Sequence, residues 1–531
     1  MLTGTTQDSL IEQTTPAAML QMAGWHARSG DPFQAERCYR WVIEREPHNV
    51  QALHRLALLL LKSCGRANDA LPLIEAAVAA EPRNATLHTS RALVLNQLDR
   101  GLDALDHFAE ACRLAPANPG NLYNLGLHLA DLCSPAQAEV IARHLVTHYP
   151  DWPSAHYLLL RALTGLESDP AEQEPLYSYL LKSDPLNTSL RFAHSLLHLK
   201  TGNYAAGWEG QEWRWDIEPV KSSRLVFPQP RWAGGPLEGR RLLVAGEQGF
   251  GDVLQFARYL PMLVRAGADV ILQLDDNRAA LARLLGKIKG VEIVIGSENL
   301  PAFDMHCPLA SLPYVFDTTP RTIPSAPYLK VDSKAVVEWQ ERLASLPRPW
   351  IGVCWAGSSE HIHNIRRSLP LCANSSYYVE RQEREIRILS AAARVADALG
   401  LDGLNEAADR DAMPAFYSME PLLRRRLGTF ISLQIGPHAS DINELPADLR
   451  ARMFAPLTQQ ADFYDTACLI HALDEVLTVD TSVAHVAGAI GQRGTIIKPA
   501  APEWRWNEHN GKSAWYPTMT LLDQHVLAPR F

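Results

Sequence analysis

The sequence predicts an α-helical repeat solenoid followed by an α/β region built from two Rossmann-like domains. Three observations carry that expectation. Prolines recur at 47, 82, 116, 150 and 185, spaced 35, 34, 34 and 35 residues apart. From Gly239 the helical period gives way to short apolar runs alternating with helical stretches. The last of these runs, Val476-Leu477-Thr478-Val479, stops at Asp480-Thr481-Ser482, and a helix of small residues begins at once.

Residues 1–15 form a tail with neither the charged start nor the apolar stretch of a signal peptide. Residues 16–187 hold the repeats. Twelve residues before each of the first four prolines stands an alanine: Ala35, Ala70, Ala104 and Ala138. Eight before them stand Tyr39, Ile74, Phe108 and Ala142. Small residues that let paired helices approach, with larger ones filling the groove, are the signature of a tetratricopeptide (TPR) array. Repeat four adds Leu125-Gly126 in its first helix, and the fifth repeat is degenerate. Such arrays present a concave face to a partner, or dock against their own chain. Asn124 falls where an asparagine ladder would line that face, but its counterparts Ser90 and Arg55 break the ladder.

Residues 188–235 read as a joint. Trp208 and Trp215 are seven apart and share a helix face, an arrangement of cores and domain interfaces. A first α/β domain is expected over 236–345, with strands at Leu242–Ala245, Val270–Leu274 and Val291–Ile295. A second is expected over 346–531, with strands at Trp350–Trp355, Phe430–Leu433 and Glu475–Val479. Strand and helix in alternation build parallel, doubly wound sheets whose strand C-termini line a cleft.

The bulk properties narrow the class. A net charge of −9 without a basic block argues against nucleic-acid binding. Arg424-Arg425-Arg426, the one tight basic run, reads as a solvated helix face. No apolar stretch approaches the roughly 20 residues of a membrane span. Eight scattered cysteines form no CxxC pair and read as buried free thiols, so a cytoplasmic location is expected.

Three constellations are candidates for chemistry. After the first strand, Gly246-Glu247-Gln248-Gly249-Phe250-Gly251-Asp252 imitates a dinucleotide fingerprint, but Leu254 stands where the third glycine belongs. Asp275 after the second strand is what remains of a nicotinamide reading. Gly249 and Gly251 instead form a cleft loop that carries Asp252, either as a general base or as the cap of the next helix. The second constellation runs from Trp355-Ala356-Gly357-Ser358-Ser359 to Arg366-Arg367-Ser368-Leu369-Pro370. Gly357 and Ser358 give room for an anion that an arginine can bind, and Gln434 lies where a nucleoside can hydrogen-bond. His361 and His363 find no carboxylate or cysteine cluster, so no metal is assigned. The third is Asp480-Thr481-Ser482 with His485 one turn on, where a helix N-terminus offers unpaired N–H groups to a phosphate or simply caps itself.

These residues carry a resemblance. Gly251-Asp252-Val253-Leu254 with Leu260-Pro261, and Asp480-Thr481-Ser482 with His485-Val486-Ala487, resemble the bacterial lipopolysaccharide heptosyltransferase family (family 9). The whole arrangement, including Arg367-Ser368-Leu369-Pro370, Trp504-Arg505-Trp506 and Trp515-Tyr516-Pro517, looks like bacterial TPR proteins with such a glycosyltransferase-like C-terminal region. The resemblance implies a GT-B fold and inverting, metal-independent transfer from a nucleotide-sugar donor to a protein or glycan acceptor. It makes Asp252 the catalytic base, and Arg367, Asp480, Thr481, Ser482 and His485 the donor-diphosphate site, with no cofactor. Arg367 replaces the family's lysine and Ser482 its glycine.

An insertion at about 372–421 departs from that family and reads as an acceptor-site element, a lid or a helical excursion. Its Asp409-Arg410-Asp411 imitates a metal-binding DxD and reads as a solvated face. The short stretch after Pro517 leaves little for a closing helix. The rival to a transferase is a TPR scaffold with a degenerate transferase-like domain.

Overall fold

The computed structural model describes residues 15–132, 134–218, 220–357, 367–372, 375–401, 403–412, 417–499, 503–509 and 511–527. Two compact units emerge: residues up to 165 together with 383–412, and residues 166–382 together with 413–531.

The first unit is a stack of antiparallel helix pairs: α1 (Pro16–Arg28) with α2 (Pro32–Arg45), α3 (Val50–Cys64) with α4 (Ala67–Ala80), α5 (Ala85–Gln97) with α6 (Gly101–Leu114), α7 (Pro119–Asp131) with α8 (Pro135–His148), then α9 (Pro153–Gly165). Pro47, Pro82 and Pro116 lie in the turns that follow α2, α4 and α6. There the Asn49, Asn84 and Asn118 side chains accept from Ala52, Thr86 and Gly120 N–H at 2.9, 3.1 and 2.9 Å, capping the next helix. The register alanines 35, 70, 104 and 138 are all fully buried, as the crossing of paired helices requires. A methyl group on Gly126 would stand 2.6 Å from Leu158 Cδ2 and 3.1 Å from Ile141 Cγ2, so any larger residue there must displace those side chains.

The insertion belongs to this array. It folds as α16 (Ser376–Leu399) and α17 (Gly403–Ala412), and from Glu383 onward it packs with the repeats. Ile388, Val395, Leu404 and Ala407 are buried there, and Arg387 reaches Asp103 and Asp106 at 3.0 Å each. The expectation of a solvated Asp409-Arg410-Asp411 face is corrected at Asp411. Its two carboxylate oxygens accept from Ala136 and Gln137 N–H at 3.0 Å each, at the start of α8. Ser134, the N-cap position of α8, makes no side-chain cap, so those first-turn donors take an acceptor from more than 270 residues away.

The second unit begins with α10 (Pro170–Ser183), α11 (Thr188–Lys200) and α12 (Tyr204–Gln211). A sheet of β1 (Arg241–Ala245), β2 (Asp269–Leu274), β3 (Val291–Ile295) and β4 (Met305–Pro308) follows, in the order β3-β2-β1-β4 and parallel throughout. Helices α13 (Phe250–Phe256) and α14 (Leu260–Arg265) follow β1, with α14 against β2, whereas α15 (Ser333–Leu343) packs against the helix over Phe463–Ala472 of the second lobe. The second sheet is β10 (Glu508–His509), β11 (Lys512–Ser513), β12 (Met519–Asp523), β9 (Gly494–Lys498), β8 (Glu475–Val479), β5 (Trp350–Cys354), β6 (Thr429–Ser432) and β7 (Met453–Phe454), in that spatial order. It is parallel from β12 to β7, with α18 (Phe463–Ala472) and α19 (Ser482–Ile490) completing it. The strands at β4, β7, β9 and β12 were not expected from sequence. β4 is four residues of mixed character ending in proline, and β9 opens on glycine.

The two α/β lobes touch directly. Arg258 donates to Trp515 O at 2.8 Å, and Tyr328 N–H to Ala489 O at 3.0 Å. Trp208 is buried, donates to Thr318 O at 2.9 Å, and meets Trp504 edge to face at 5.3 Å, so it is core, whereas Trp215 lies beyond α12 on a 3-10 turn, is only half-buried, and does not share the face expected of it. Among the described residues no helix is long and apolar enough to cross a membrane.

Candidate functional site

At the C-terminal ends of β5, β6 and β8 lies a cavity of about 330 Å³. Gly357, Gln434, Thr481 and Ser482 line it, together with Cys354, His438 and Phe463. The sequence dictates this place. β8 runs out at Asp480, Thr481 takes an extended backbone as N-cap, and α19 starts at Ser482 on the cavity wall. The Thr481 hydroxyl does not cap its own helix; it lies 3.3 Å from the Thr478 hydroxyl. Positive helix-end potential is thereby directed at a pocket wall of hydroxyls and small residues.

The remaining donor-site candidates sit behind that wall. Arg367 donates to Asp480 O at 2.6 and 3.2 Å and keeps 3.6 Å from its carboxylate. Burial lifts the Asp480 carboxyl to about 6, opposed by the Arg367 charge. His485 faces away from the cavity. Its Nδ1 is 2.9 Å from the Tyr516 hydroxyl, and its ring lies 5.1 Å from Trp506. Burial, then the charges of Arg505, Arg258 and Arg367, hold its pKa well below the usual value, so the ring is neutral at pH 7. Gln434 spends its side-chain oxygen on Trp355 and Ala356 N–H, at 3.3 and 3.0 Å, tying the end of β5 to β6. Gly357 N–H donates to the Ser368 hydroxyl at 2.9 Å. Ser358, with His361 and His363, lies outside the described residues.

Asp252 is committed twice. Its Oδ2 accepts from Gly249 N–H at 2.9 Å, and its Oδ1 pairs with Arg505, which also donates to Gln255 Oε1 at 2.9 Å. Gly251 is small for a packing reason: a methyl group there would stand 2.9 Å from His485 Cδ2 across the lobe boundary. Asp252 and the residues of α19 are thus brought to one junction, with Asp252 outside the cavity lining.

Sequence reasoning missed two features. His438, on the turn after β6, lines the cavity and is held above its usual pKa by the Asp441 carboxylate 3.2 Å away. A larger cavity, about 710 Å³, opens at the ends of β1, β2 and β3, lined by Trp215, Arg224, Gly246, Gln248, Gln273 and Asp275. The glycine-rich loop reaches it in a fixed shape. Buried Arg214 grips Glu247 at 2.8 and 2.9 Å, and Gln248 adopts φ +64°. Asp275 accepts from Arg278 N–H at 3.1 Å and pairs with its guanidinium, so it is a turn cap rather than a free ribose ligand.

Comparison with known proteins places the helical half. The tetratricopeptide repeat family model matches residues 65–119. Protein FlbA of Caulobacter vibrioides is 23% identical over 509 residues, covering 89% of this chain and 72% of the relative. Among solved structures, a tetratricopeptide repeat protein from Parabacteroides merdae aligns with TM-score 0.34 and 19% identity over 38% of this chain and 79% of that one. PilF of Pseudomonas aeruginosa gives TM-score 0.34 and 19% identity over 39% of this chain and 96% of that one. The chain contains tetratricopeptide repeats followed by a mixed α/β region of parallel sheets, and it is similar along most of its length to a bacterial relative.

Proposed function

We propose that the α/β half is a GT-B-type glycosyltransferase that takes a sugar from a nucleotide-sugar donor, and that the TPR half positions a protein or glycan acceptor. The carrying observation is the cavity at the ends of β5, β6 and β8, where the α19 N-terminus, two hydroxyl residues and the His438 imidazole converge. Those groups suit a nucleoside diphosphate. Transfer is an in-line displacement. The acceptor oxygen bonds to the anomeric carbon, its proton passes to a carboxylate, and the bond to the diphosphate breaks with its electron pair leaving on phosphate oxygen. Asp252 is the carboxylate the resemblance assigns, the α19 N-terminus faces the leaving charge, and Arg367 adds to the positive field from behind it through its bond to Asp480 O.

A second reading, a ligand-binding scaffold without turnover, is favoured by one observation: Asp252 is held by Arg505 and Gly249 N–H. Asp252 takes a proton only after exchanging the guanidinium. Titrating the full chain with nucleoside diphosphates and nucleotide sugars, read by thermal shift, and incubating it with the donors and a mixture of protein and glycan acceptors, read by donor consumption, separates the two. The transferase reading expects saturable binding and donor turnover, lost in Asp252→Asn while binding persists. Binding with no turnover leaves the scaffold, and no binding to any of them removes the transferase.

A further inference from the structure

One group of three metal-capable side chains stands out among the described residues, away from both cavities: Glu174 on α10 with His194 and His198 on α11. We propose that these three residues bind a divalent transition metal of the zinc class, with water in the fourth position, and that the metal staples α10 to α11. His194 and His198 are four apart on one helix, so their rings share a face and lie 4.2 Å apart between centroids. Glu174 approaches from the neighbouring helix, its two oxygens 2.9 and 3.0 Å from His194 Nε2. All three ligand atoms fall within 4.8 Å of one another. A tetrahedral zinc with bonds of about 2.0–2.1 Å needs its ligand atoms roughly 3.4 Å apart. Small rotations of the half-exposed Glu174 and of His198 close that gap.

The chemistry of the donors fits. Two imidazoles and one carboxylate are a borderline set that favours zinc over magnesium or calcium, which take oxygen. The His194 ring is stacked on Tyr177 at 4.5 Å, which fixes its plane. Binding is an exchange: the His194 Nε2 contact with Glu174 gives way, the ring takes the tautomer that carries its proton on Nδ1, and the Nε2 lone pair and a Glu174 oxygen bond to the metal. The chain carries its own comparison. His144 and His148 on α8 have the same spacing and the same 4.2 Å between rings, but His148 Nδ1 is 2.8 Å from His144 O and no third ligand joins them in such a group among the described residues.

The test is zinc titration of the untagged, chelator-treated full chain by calorimetry, with the unfolding midpoint followed in parallel. The expected result is one zinc per chain, a rise in midpoint, no binding of magnesium, and affinity reduced at least about tenfold in both His198→Ala and Glu174→Gln. His148→Ala is expected to bind as the parent does. Each variant is first matched to the parent by its unfolding midpoint in chelator, so lost binding is not lost folding. Absence of one-to-one binding, equal binding by magnesium, or unchanged affinity in His198→Ala overturns the site.

Discussion

Arg505, in the C-terminal lobe, reaches across to the Asp252 carboxylate of the N-terminal lobe, and the two side chains are only 16% and 19% exposed. A partly buried ion pair of this kind contributes little net stability while intact but costs a great deal when one partner is removed. Arg505→Gln leaves Asp252 charged beside the Gly249 turn and is expected to lose about 2–4 kcal/mol in chemical denaturation. The double variant Arg505→Gln with Asp252→Asn is expected to recover part of that loss. If the single variant is neutral, the pair is solvated and the lobes are held by other contacts.

Gly251 and His485 set a second prediction. A methyl group at 251 meets His485 Cδ2 at 2.9 Å and Nε2 at 3.1 Å, and His485 is buried and engaged by Tyr516. Gly251→Ala therefore overpacks the lobe boundary and is expected to destabilise by about 1–3 kcal/mol. At Gly249 the added carbon meets only Asp252 Oδ2 at 3.2 Å, with an ordinary negative φ, so Gly249→Ala is expected to be milder in the same melting experiment.

Asp411 offers the array its own test. Its two oxygens satisfy two first-turn N–H groups of α8, which no local side chain caps. Asp411→Ala is expected to cost about 1–2 kcal/mol and to speed amide exchange at Ala136 and Gln137. Arg394→Gln removes an ion pair whose partners are each 49% exposed, and is expected to change stability by less than about 1 kcal/mol. Equal effects of the two would mean that the insertion is held by charge rather than by the cap and its apolar face.

What the sequence disclosed follows from the range of each interaction. Pro47, Ala35 and their repeats report contacts within one helix pair, and strands such as Val270–Leu274 report a local apolar period; both are printed in neighbouring residues. Asp411 looked solvated because its helix is acidic and its partner, α8, is far away in the chain. Asp252 looked like a base or a cap, and its second tie, to Arg505, was invisible for the same reason. Gly251 was read as part of a cleft loop that carries Asp252, whereas its smallness serves the contact with His485, a packing reason that no spacing rule encodes. His438 carried no motif at all. A histidine in a loop after a strand becomes informative only once Asp441 and the β5 end are beside it.

Asp480 links pH to the proposed donor site. Burial raises its carboxyl from the usual value near 4 to about 6, so the folded chain holds a proton there that the unfolded chain releases. Its contribution to stability is therefore complete below pH 4 and lost as the pH rises through 6. The same titration changes the field at Thr481 and Ser482. Above pH 6 the carboxylate offsets Arg367; below it, the Arg367 charge is less compensated and an anion is held more tightly. Affinity for a nucleotide sugar, whose diphosphate diester does not titrate in this range, is expected to rise as the pH falls from 7 to 5. Calorimetry across that interval, with Asp480→Asn as the variant lacking the group, checks the sign. The variant is expected to show a flatter profile, and a parent profile that is flat or inverted would place the bound anion away from the α19 N-terminus.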